Sequence, residues 1–267
     1  AQTARVIQGA YDEFALFEDG VPTHLQTLLA QALSRSGQCP VSQLLLEDVL
    51  GSDPLYRDAW IVLGYCHLLL ENPPEAISAF EHAYSLDPEK AETQYFLGLA
   101  HDRGGDRETA RTFYEYALQN ALSPERPARE RLATLARERG DNEEAVSHYR
   151  TMLDGEGAED PLLYSQFVSL LMEEMRAPDE AAGIAGRARE VFGDTPEVLG
   201  LLGWVALMQG KPEEAEALLD LALEGSPSLA SAWAADRPSL SSASPVASVC
   251  SSSLSWQAFF SSSIVAR

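Results

Sequence analysis

Residues 58–88 read DAWIVLGYCHLLLENPPEAISAFEHAYSLDP, a pattern that predicts two helices joined by a turn. One face of the first helix carries Trp60, Leu63, Gly64 and His67, at spacings of three, one and three. One face of the second carries Ala76, Phe80 and Ala83, at spacings of four and three. The pair Pro73-Pro74 separates the helices, because proline cannot continue a helix but is tolerated in its first turn. The small residues mark where the two helices approach each other, beside the large ones.

The same pattern recurs along the chain. Gly64 corresponds to Gly98, Ala133, Val168 and Gly203, at successive steps of 34, 35, 35 and 35 residues. Ala76 corresponds to Ala110, Ala145, Ala181 and Ala215, and Phe80 corresponds to Tyr114, Tyr149, Ala185 and Leu219. The series W-x2-L-G, A-x3-F and a closing Pro resembles the tetratricopeptide repeat (TPR), with His67 in place of the usual Tyr.

The resemblance implies an all-α fold, a right-handed solenoid of about six TPR helix hairpins with an N-terminal helix and a divergent Ser-rich C-terminal tail. Several hairpins are needed because one hairpin cannot bury its apolar faces alone. The array 23–229 divides into repeats 23–56, 57–90, 91–125, 126–160, 161–195 and 196–229. Repeats 23–56 and 161–195 match the pattern least well.

Both ends of the chain depart from the repeat. Residues 1–22 are expected to form an amphipathic helix that packs on the first repeat, or the second helix of a repeat lost upstream. Residues 230–236 are expected to start a capping helix. In 237–267, 12 of 31 residues are Ser and none is Asp or Glu. A flexible tail, an altered reading frame and an extended strand all remain open for this segment.

The formal charge of −22 argues against one class of partner, nucleic acid. Nucleic acid is not expected, since phosphates would be repelled and no basic stripe exists to release counterions. The charge favours solubility and would steer a basic partner, although a merely solvated acidic surface explains it equally simply. Only two of the 19 basic residues are lysine, which points weakly to a bacterium. The compartment, cytoplasm or periplasm, stays undetermined.

No motif of catalysis, metal binding or membrane insertion stands out. Cys39, Cys66 and Cys250 are odd in number and far apart, which supports neither a disulfide framework nor a zinc site; Cys66 is expected in the core. His67 and His101 share a repeat position, so their 34-residue spacing has a structural cause. No run of 18 apolar residues occurs, so no transmembrane helix is expected. Neither an enzyme nor a cofactor is predicted.

In TPR proteins the first helix of each repeat lines a concave face that binds extended or helical peptides. The resemblance places on this face His24, Thr27, Gln31, Asp58, Ile61, Tyr65, Leu69, Tyr95, Leu99, Asp102, Glu130, Thr134, Arg137, Ser165, Ser169, Met172, Trp204, Leu207 and Met208. The predicted partner-binding residues among them are Ile61, Tyr65, Leu69, Tyr95, Leu99, Asp102, Glu130, Arg137, Trp204 and Met208.

Five of these residues, Ile61, Tyr65, Leu69, Tyr95 and Leu99, would form an apolar and aromatic patch across repeats two and three. Such a patch suggests a contact surface, unless the N-terminal helix or another element fills it. Some TPR proteins hold the C-terminal carboxylate of chaperones with a clamp of Lys, Asn and Arg. Only Arg131 matches that clamp in character, so chaperone-tail binding is not expected.

The resemblance therefore implies a non-catalytic scaffold that binds a peptide or a partner helix in its concave groove. The partner is expected to present apolar side chains, with acidic groove residues selecting nearby Lys or Arg. The alternative is a structural protein that self-assembles through uncapped repeat ends or through the C-terminal tail.

Overall fold

The computed structural model describes residues 22–155 and 158–225, and every regular element in those ranges is an α-helix. The twelve helices of these residues are α1 (Thr23–Arg35), α2 (Cys39–Ser52), α3 (Arg57–Leu69), α4 (Pro73–Leu86), α5 (Ala91–Arg103), α6 (Arg107–Gln119), α7 (Arg126–Arg139), α8 (Asn142–Leu153), α9 (Pro161–Glu173), α10 (Pro178–Phe192), α11 (Pro196–Met208) and α12 (Pro212–Gly225). Consecutive helices pair as six hairpins, numbered 1 to 6 in chain order.

The chain divides into two compact units, residues 1–135 and 136–267. In unit 1, hairpins 1 to 3 stack in sequence, α2 against α3 and α4 against α5. In unit 2, α8 packs on α9 and α10 packs on α11. The prediction of an all-α TPR fold is confirmed. The predicted N-terminal helix up to residue 21, the start of a capping helix and the Ser-rich tail lie outside the described residues.

Glycines lie where paired helices make their closest approach. A Cβ atom added at Gly64 would lie 2.6 Å from Cε1 of Phe80, and one at Gly98 would lie 2.7 Å from Cδ1 of Tyr114. Phe80 and Tyr114 are themselves fully buried. The pairing of a small residue on the first helix with a large one on the second is therefore confirmed for these two hairpins.

The turns between paired helices use the residues expected of helix starts. Asp106 caps α6 by accepting a hydrogen bond from the backbone N–H of Thr109. Asp141 caps α8 in the same way, through the N–H of Glu144. The residue before Asp106 is Gly105 with φ of 85°, a left-handed conformation that other residues rarely adopt.

No helix among the described residues is long and apolar enough to cross a membrane.

Candidate partner-binding groove

The first helices of hairpins 1, 2 and 3 together line a cavity of about 380 Å³ in unit 1. Its walls are formed by His24, Thr27, Leu28, Gln31, Tyr56, Arg57, Asp58, Ile61, Val62, Lys90, Glu92, Thr93 and Phe96. Five of these residues, His24, Thr27, Gln31, Asp58 and Ile61, are among those that the resemblance places on the concave face. The predicted residues that share this cavity thus come from two hairpins, 1 and 2, whereas its hairpin 3 residues were not predicted.

The cavity combines apolar walls with charged groups that are already paired. Leu28, Ile61 and Phe96 supply apolar surface from α1, α3 and α5. The carboxylate of Asp58 lies 2.7 Å from the guanidinium of Arg57. The ammonium of Lys90 lies 3.3 Å from Glu92 in the same way. Because each cation has an anion beside it, the cavity carries little net charge, and apolar contact is its main means of attraction.

Phe96 connects the cavity to the aromatic residues of hairpins 2 and 3. Its ring stacks on Phe80, with centroids 5.4 Å apart and an interplanar angle of 11°. It also meets the ring edges of Tyr65 at 6.2 Å and Tyr95 at 5.5 Å. Edge-to-face and offset arrangements at these distances are attractive beyond simple burial. The predicted groove tyrosines Tyr65 and Tyr95 are therefore brought together through a residue lying between them.

Part of the predicted apolar patch serves the core as well as the surface. Tyr95 and Leu99 are partly buried and pack against the core cluster that includes Tyr114 and Leu132. Ile61 packs against the cluster that includes Phe80 and Leu97. Burial raises the pKa of the Tyr95 phenol, an effect that the nearby Arg131 partly opposes. All three side chains thus pack partly on the hairpin interior, and of the three only Ile61 also lines the cavity.

Leu69 is the most exposed member of the patch, at 47%. It lies at the last position of α3, four residues beyond Tyr65. This spacing puts the two residues on one face of α3.

The acidic groove residues of hairpins 3 and 4 are engaged within the protein. The Asp102 side chain is only 13% exposed and lies 3.7 Å from the guanidinium of Arg131. Asp102 also accepts a hydrogen bond from the hydroxyl of Tyr114 at 3.5 Å. Glu130 lies 2.7 Å from Arg126, one helical turn away. Since each acid faces an arginine, the attraction expected for Lys or Arg of a partner is weakened at these positions.

Unit 2 places the remaining predicted groove residues in different surroundings. Arg137 donates two hydrogen bonds to Oε1 of Glu174, at 2.7 and 3.1 Å. Burial opposes the charge of Arg137, but the hydrogen bonds and charge of Glu174, together with Tyr149, outweigh burial and leave the pKa of Arg137 raised. Trp204 is only 5% exposed, whereas Met208 is 54% exposed. Trp204 is therefore a core side chain in this fold, and Met208 remains on the surface.

Sequence reasoning passed over eight of the cavity residues, among them Phe96 and Leu28. Phe96 follows Tyr95 directly, and adjacent aromatics on a first helix are a usable signal. Leu28 follows the predicted groove residue Thr27 and is 51% exposed. A large leucine beside a groove position, without a core partner in the repeat pattern, was the second signal.

The described part of the chain offers no assembled site for metal chemistry. No group of three or more His, Cys, Asp or Glu residues in it could hold a metal ion. Burial lowers the pKa of His67, and its ring nitrogen Nδ1 lies 3.4 Å from the side-chain amide of Gln43. His101 stacks on Phe113 with centroids 5.7 Å apart. Both histidines thus have local structural contacts in the hairpins that carry them.

The helix hairpins define a helical-repeat protein. The family model described as tetratricopeptide repeat matches residues 27–91, 70–127, 95–161 and 173–230, which together cover more than half of the chain. The chain belongs to the tetratricopeptide repeat family, whose members are typically non-catalytic and generally act as scaffolds for protein interactions.

Comparison with individual proteins finds one relative by sequence and two solved structures with a similar fold. Over 101 residues, 37% of this chain, it is 31% identical to the general transcriptional corepressor ssn6 of Schizosaccharomyces pombe. The match spans only 9% of that relative's length. The structure of PilF from Pseudomonas aeruginosa aligns with a TM-score of 0.62 at 16% identity, covering 90% of this chain and 97% of PilF.

A third protein, YrrB, is described as a TPR protein with an unusual peptide-binding site. It aligns with a TM-score of 0.54 at 17% identity, covering 68% of this chain and 92% of YrrB. At these identities both structural likenesses show a shared fold.

Proposed function

We propose that this protein is a non-catalytic scaffold that binds a peptide segment of a partner protein in the groove of unit 1. The observation that carries the proposal is the cavity of about 380 Å³ formed by α1, α3 and α5, in which apolar side chains from three hairpins converge. A space of this size accommodates one large aliphatic or aromatic side chain of a partner together with the backbone beside it. The peptide-binding site of YrrB, a protein with the same fold, agrees with this proposal.

The binding energy would come mainly from apolar contact with Leu28, Ile61 and Phe96. Leu28 is the most useful of these because 51% of its surface is exposed, so it can gain burial when a partner binds. The overall charge of −22 would accelerate the encounter with a basic partner. The paired acids Asp102 and Glu130 would add little to selection for Lys or Arg, because arginines of this chain already face them.

A matched pair of leucine variants tests the groove. Peptides are first selected from a displayed random library on the immobilised full chain, and the best is measured by fluorescence polarisation. Leu28→Ser is expected to weaken the selected peptide by about tenfold, the value of burying one large aliphatic side chain. Leu44→Ser is the control, because Leu44 lies in the same hairpin, is 67% exposed and does not line the cavity. Equal affinities for the two variants would refute the groove proposal.

Self-assembly is the second candidate function. Large leucines are exposed in the first repeat, 23–56, and in the last described hairpin, with Leu55 at 74% and Leu221 at 53%. Light scattering after size exclusion, over a hundredfold range of concentration, compares the full chain with a chain ending at Asp236. Association of both proteins would favour contact through repeat ends, and association of the full chain alone would favour the Ser-rich segment 237–267. Monomers throughout would exclude this function.

A further inference from the structure

Two cysteines that lie far apart in the sequence meet in the core of hairpins 1 and 2. Cys39 is the first residue of α2, and Cys66 lies in the last turn of α3. Both are free thiols and both are buried, at 3% and 0% exposure. Cys39 lies close enough to the Cys66 thiol to raise its pKa, after the larger effect of burial.

Ser42 fixes the position of this pair. Its hydroxyl accepts a hydrogen bond from the thiol of Cys66 at 3.3 Å and donates one to the carbonyl oxygen of Ala30 at 2.7 Å. Ser42 lies three residues after Cys39 on α2, so the two side chains share one face of the helix. The thiol of Cys66 is thus directed at the face of α2 that carries Cys39.

We propose that Cys39 and Cys66 form an intramolecular disulfide that cross-links repeat 23–56 to repeat 57–90 when the protein meets a disulfide oxidant. Oxidised glutathione is a sufficient oxidant. One cysteine thiolate attacks it, forms a mixed disulfide and releases one glutathione thiolate. The other cysteine thiolate then attacks the protein sulfur of the mixed disulfide and releases the second glutathione. Two protein thiols are oxidised, one glutathione disulfide is reduced to two thiols, and the two cysteine protons pass through the solvent to the released glutathione thiolates.

The reaction is expected to be slow in the closed fold. Burial raises the pKa of the Cys66 thiol to about 11, although its hydrogen bond with Ser42 opposes that rise. A buried, protonated thiol is a poor nucleophile, so the cross-link requires local opening of the contact between α2 and α3, or forms during folding. Mild urea that opens this contact should therefore accelerate the reaction.

The test uses the full chain carrying Cys250→Ser, which removes the third thiol. The reduced protein is incubated with oxidised glutathione at pH 8 without urea, in mild urea and in fully denaturing urea, and is then digested with trypsin. Cleavage after Arg35, Arg57 and Lys90 puts Cys39 in fragment 36–57 and Cys66 in fragment 58–90. Mass spectrometry distinguishes linked fragments from separate glutathione adducts.

We expect linked fragments to dominate in mild urea and to separate on reduction. The ratio of linked fragments to adducts should be about tenfold higher there than in fully denaturing urea, because the fold raises the effective concentration of one thiol near the other. The cross-linked protein should also unfold several degrees above the reduced one. Adducts alone in mild urea, intermolecular dimers, or equal ratios in the two urea conditions would overturn the proposal.

Discussion

Hairpins 3 and 5 differ in which helix supplies the bulk where their two helices cross. In hairpin 3, Gly98 on α5 leaves room for the buried ring of Tyr114 on α6. In hairpin 5, the corresponding positions hold Val168 on α9 and Ala185 on α10, and both side chains are fully buried. The bulk has thus moved from the second helix to the first. The repeat therefore requires a certain total side-chain volume where its two helices cross. A glycine paired with a large residue supplies this volume, and so does a valine paired with an alanine.

The exchange changes how closely the helices pack. The hairpins with glycine at this position, 2, 3 and 6, bring their two helices together over more of their length than hairpins 1 and 5 do. Hairpin 1 has Ala30 at this position and hairpin 5 has Val168. A missing Cβ permits the closest approach of two helix backbones, which explains the difference.

The two hairpins also differ in their contacts with the preceding repeat. Both have a stacked aromatic pair there, Phe80 with Phe96 and Tyr149 with Phe167, each with centroids 5.4 Å apart. Hairpin 5 adds ion pairs, among them the pair of Arg137 with Glu174. The stability of the contact between hairpin 5 and the preceding repeat should therefore depend more on salt and pH than that of the corresponding contact of hairpin 3.

The largest expected effect comes from transferring the hairpin 5 arrangement into hairpin 3. Gly98→Val places new atoms against the ring of Tyr114 and the carbonyl oxygen of Ala110, so it should lower the free energy of unfolding by about 3 kcal/mol. Tyr114→Ala alone should cost about 3–5 kcal/mol through its cavity. Urea unfolding of both single variants and of the double variant gives the interaction free energy between positions 98 and 114. The double variant should cost clearly less than the sum of the two, because the valine occupies space that the ring leaves.

Additive losses in this cycle would show that the two positions do not share one volume, and the comparison of hairpins 3 and 5 would then fail.

The reverse change in hairpin 5 should be destabilising as well. Val168→Gly removes a fully buried side chain whose counterpart by repeat position on α10 is the small Ala185, so it leaves a cavity and adds backbone freedom to α9. The expected loss is about 2–4 kcal/mol, measured by urea unfolding. Val168→Gly combined with Ala185→Leu should recover part of it by restoring the hairpin 6 pairing of Gly203 with Leu219. No recovery would mean that backbone differences, rather than side-chain volume, separate the hairpins.

A smaller effect is expected at the ionic junction of hairpin 5. Arg137→Ala removes a pair whose two side chains are each 29% exposed, and should cost about 1–2 kcal/mol. Arg150→Ala is the control, because Arg150 pairs with Glu180 but is 57% exposed and should change stability by less than about 0.5 kcal/mol. Thermal unfolding at low and high salt checks both values. If Arg137→Ala lowers stability no more than Arg150→Ala does, partial burial does not strengthen the ion pair of Arg137.

The smallest effect concerns the carboxyl group of Glu173. Its Oε1 atom is buried and has no hydrogen-bond partner among the described residues. Burial raises its pKa, Arg137 lowers it, and Glu174 raises it further, with a net rise. Because the folded-state pKa lies above the unfolded one, the ionised carboxyl destabilises the fold. This cost is absent below about pH 4, the unfolded range, and grows as the pH rises through the raised folded-state value.

Glu173→Gln should therefore raise the unfolding temperature slightly at pH 7 and leave it unchanged near pH 3.5, since the wild-type carboxyl is then neutral in both states. Thermal unfolding across that range measures the difference. Glu174→Gln should act in the opposite direction at pH 7, because it weakens the pair with Arg137. A Glu173→Gln difference that does not vary with pH would assign the effect to packing instead of charge.

The helix hairpins could be predicted from local sequence because their signals are local. The spacing of Gly64 and Phe80, the prolines at helix starts and the cap at Asp106 each act within one repeat, and the chain repeats them. The weak match of repeat 161–195 was visible too. The reason for the weak match needs the structure: Val168 and Ala185 are both fully buried, so the larger side chain is on the first helix of this hairpin.

The candidate groove was predictable by repeat position but not in its chemistry. The sequence placed Ile61 and Asp58 on the concave side, and the cavity contains both. It could not show that Arg131 faces Asp102 or that Trp204 is buried, since both depend on which side chains neighbouring helices bring near. Position within a repeat determines the face of a helix, whereas contacts across repeats determine whether a charge on that face remains available.

The sequence by itself determined the family, the order of the helices and the face each helix turns to its hairpin partner, because all three follow from spacings within about 34 residues. The tertiary structure decided which distant residues meet. It placed Cys39 beside Cys66 and gathered Leu28, Ile61 and Phe96 around one cavity. The periodicity of the sequence determines the direction in which each side chain leaves its helix. The distance between side chains on different repeats depends on how closely the helix backbones pack, and this packing depends on the side-chain volumes of the whole core.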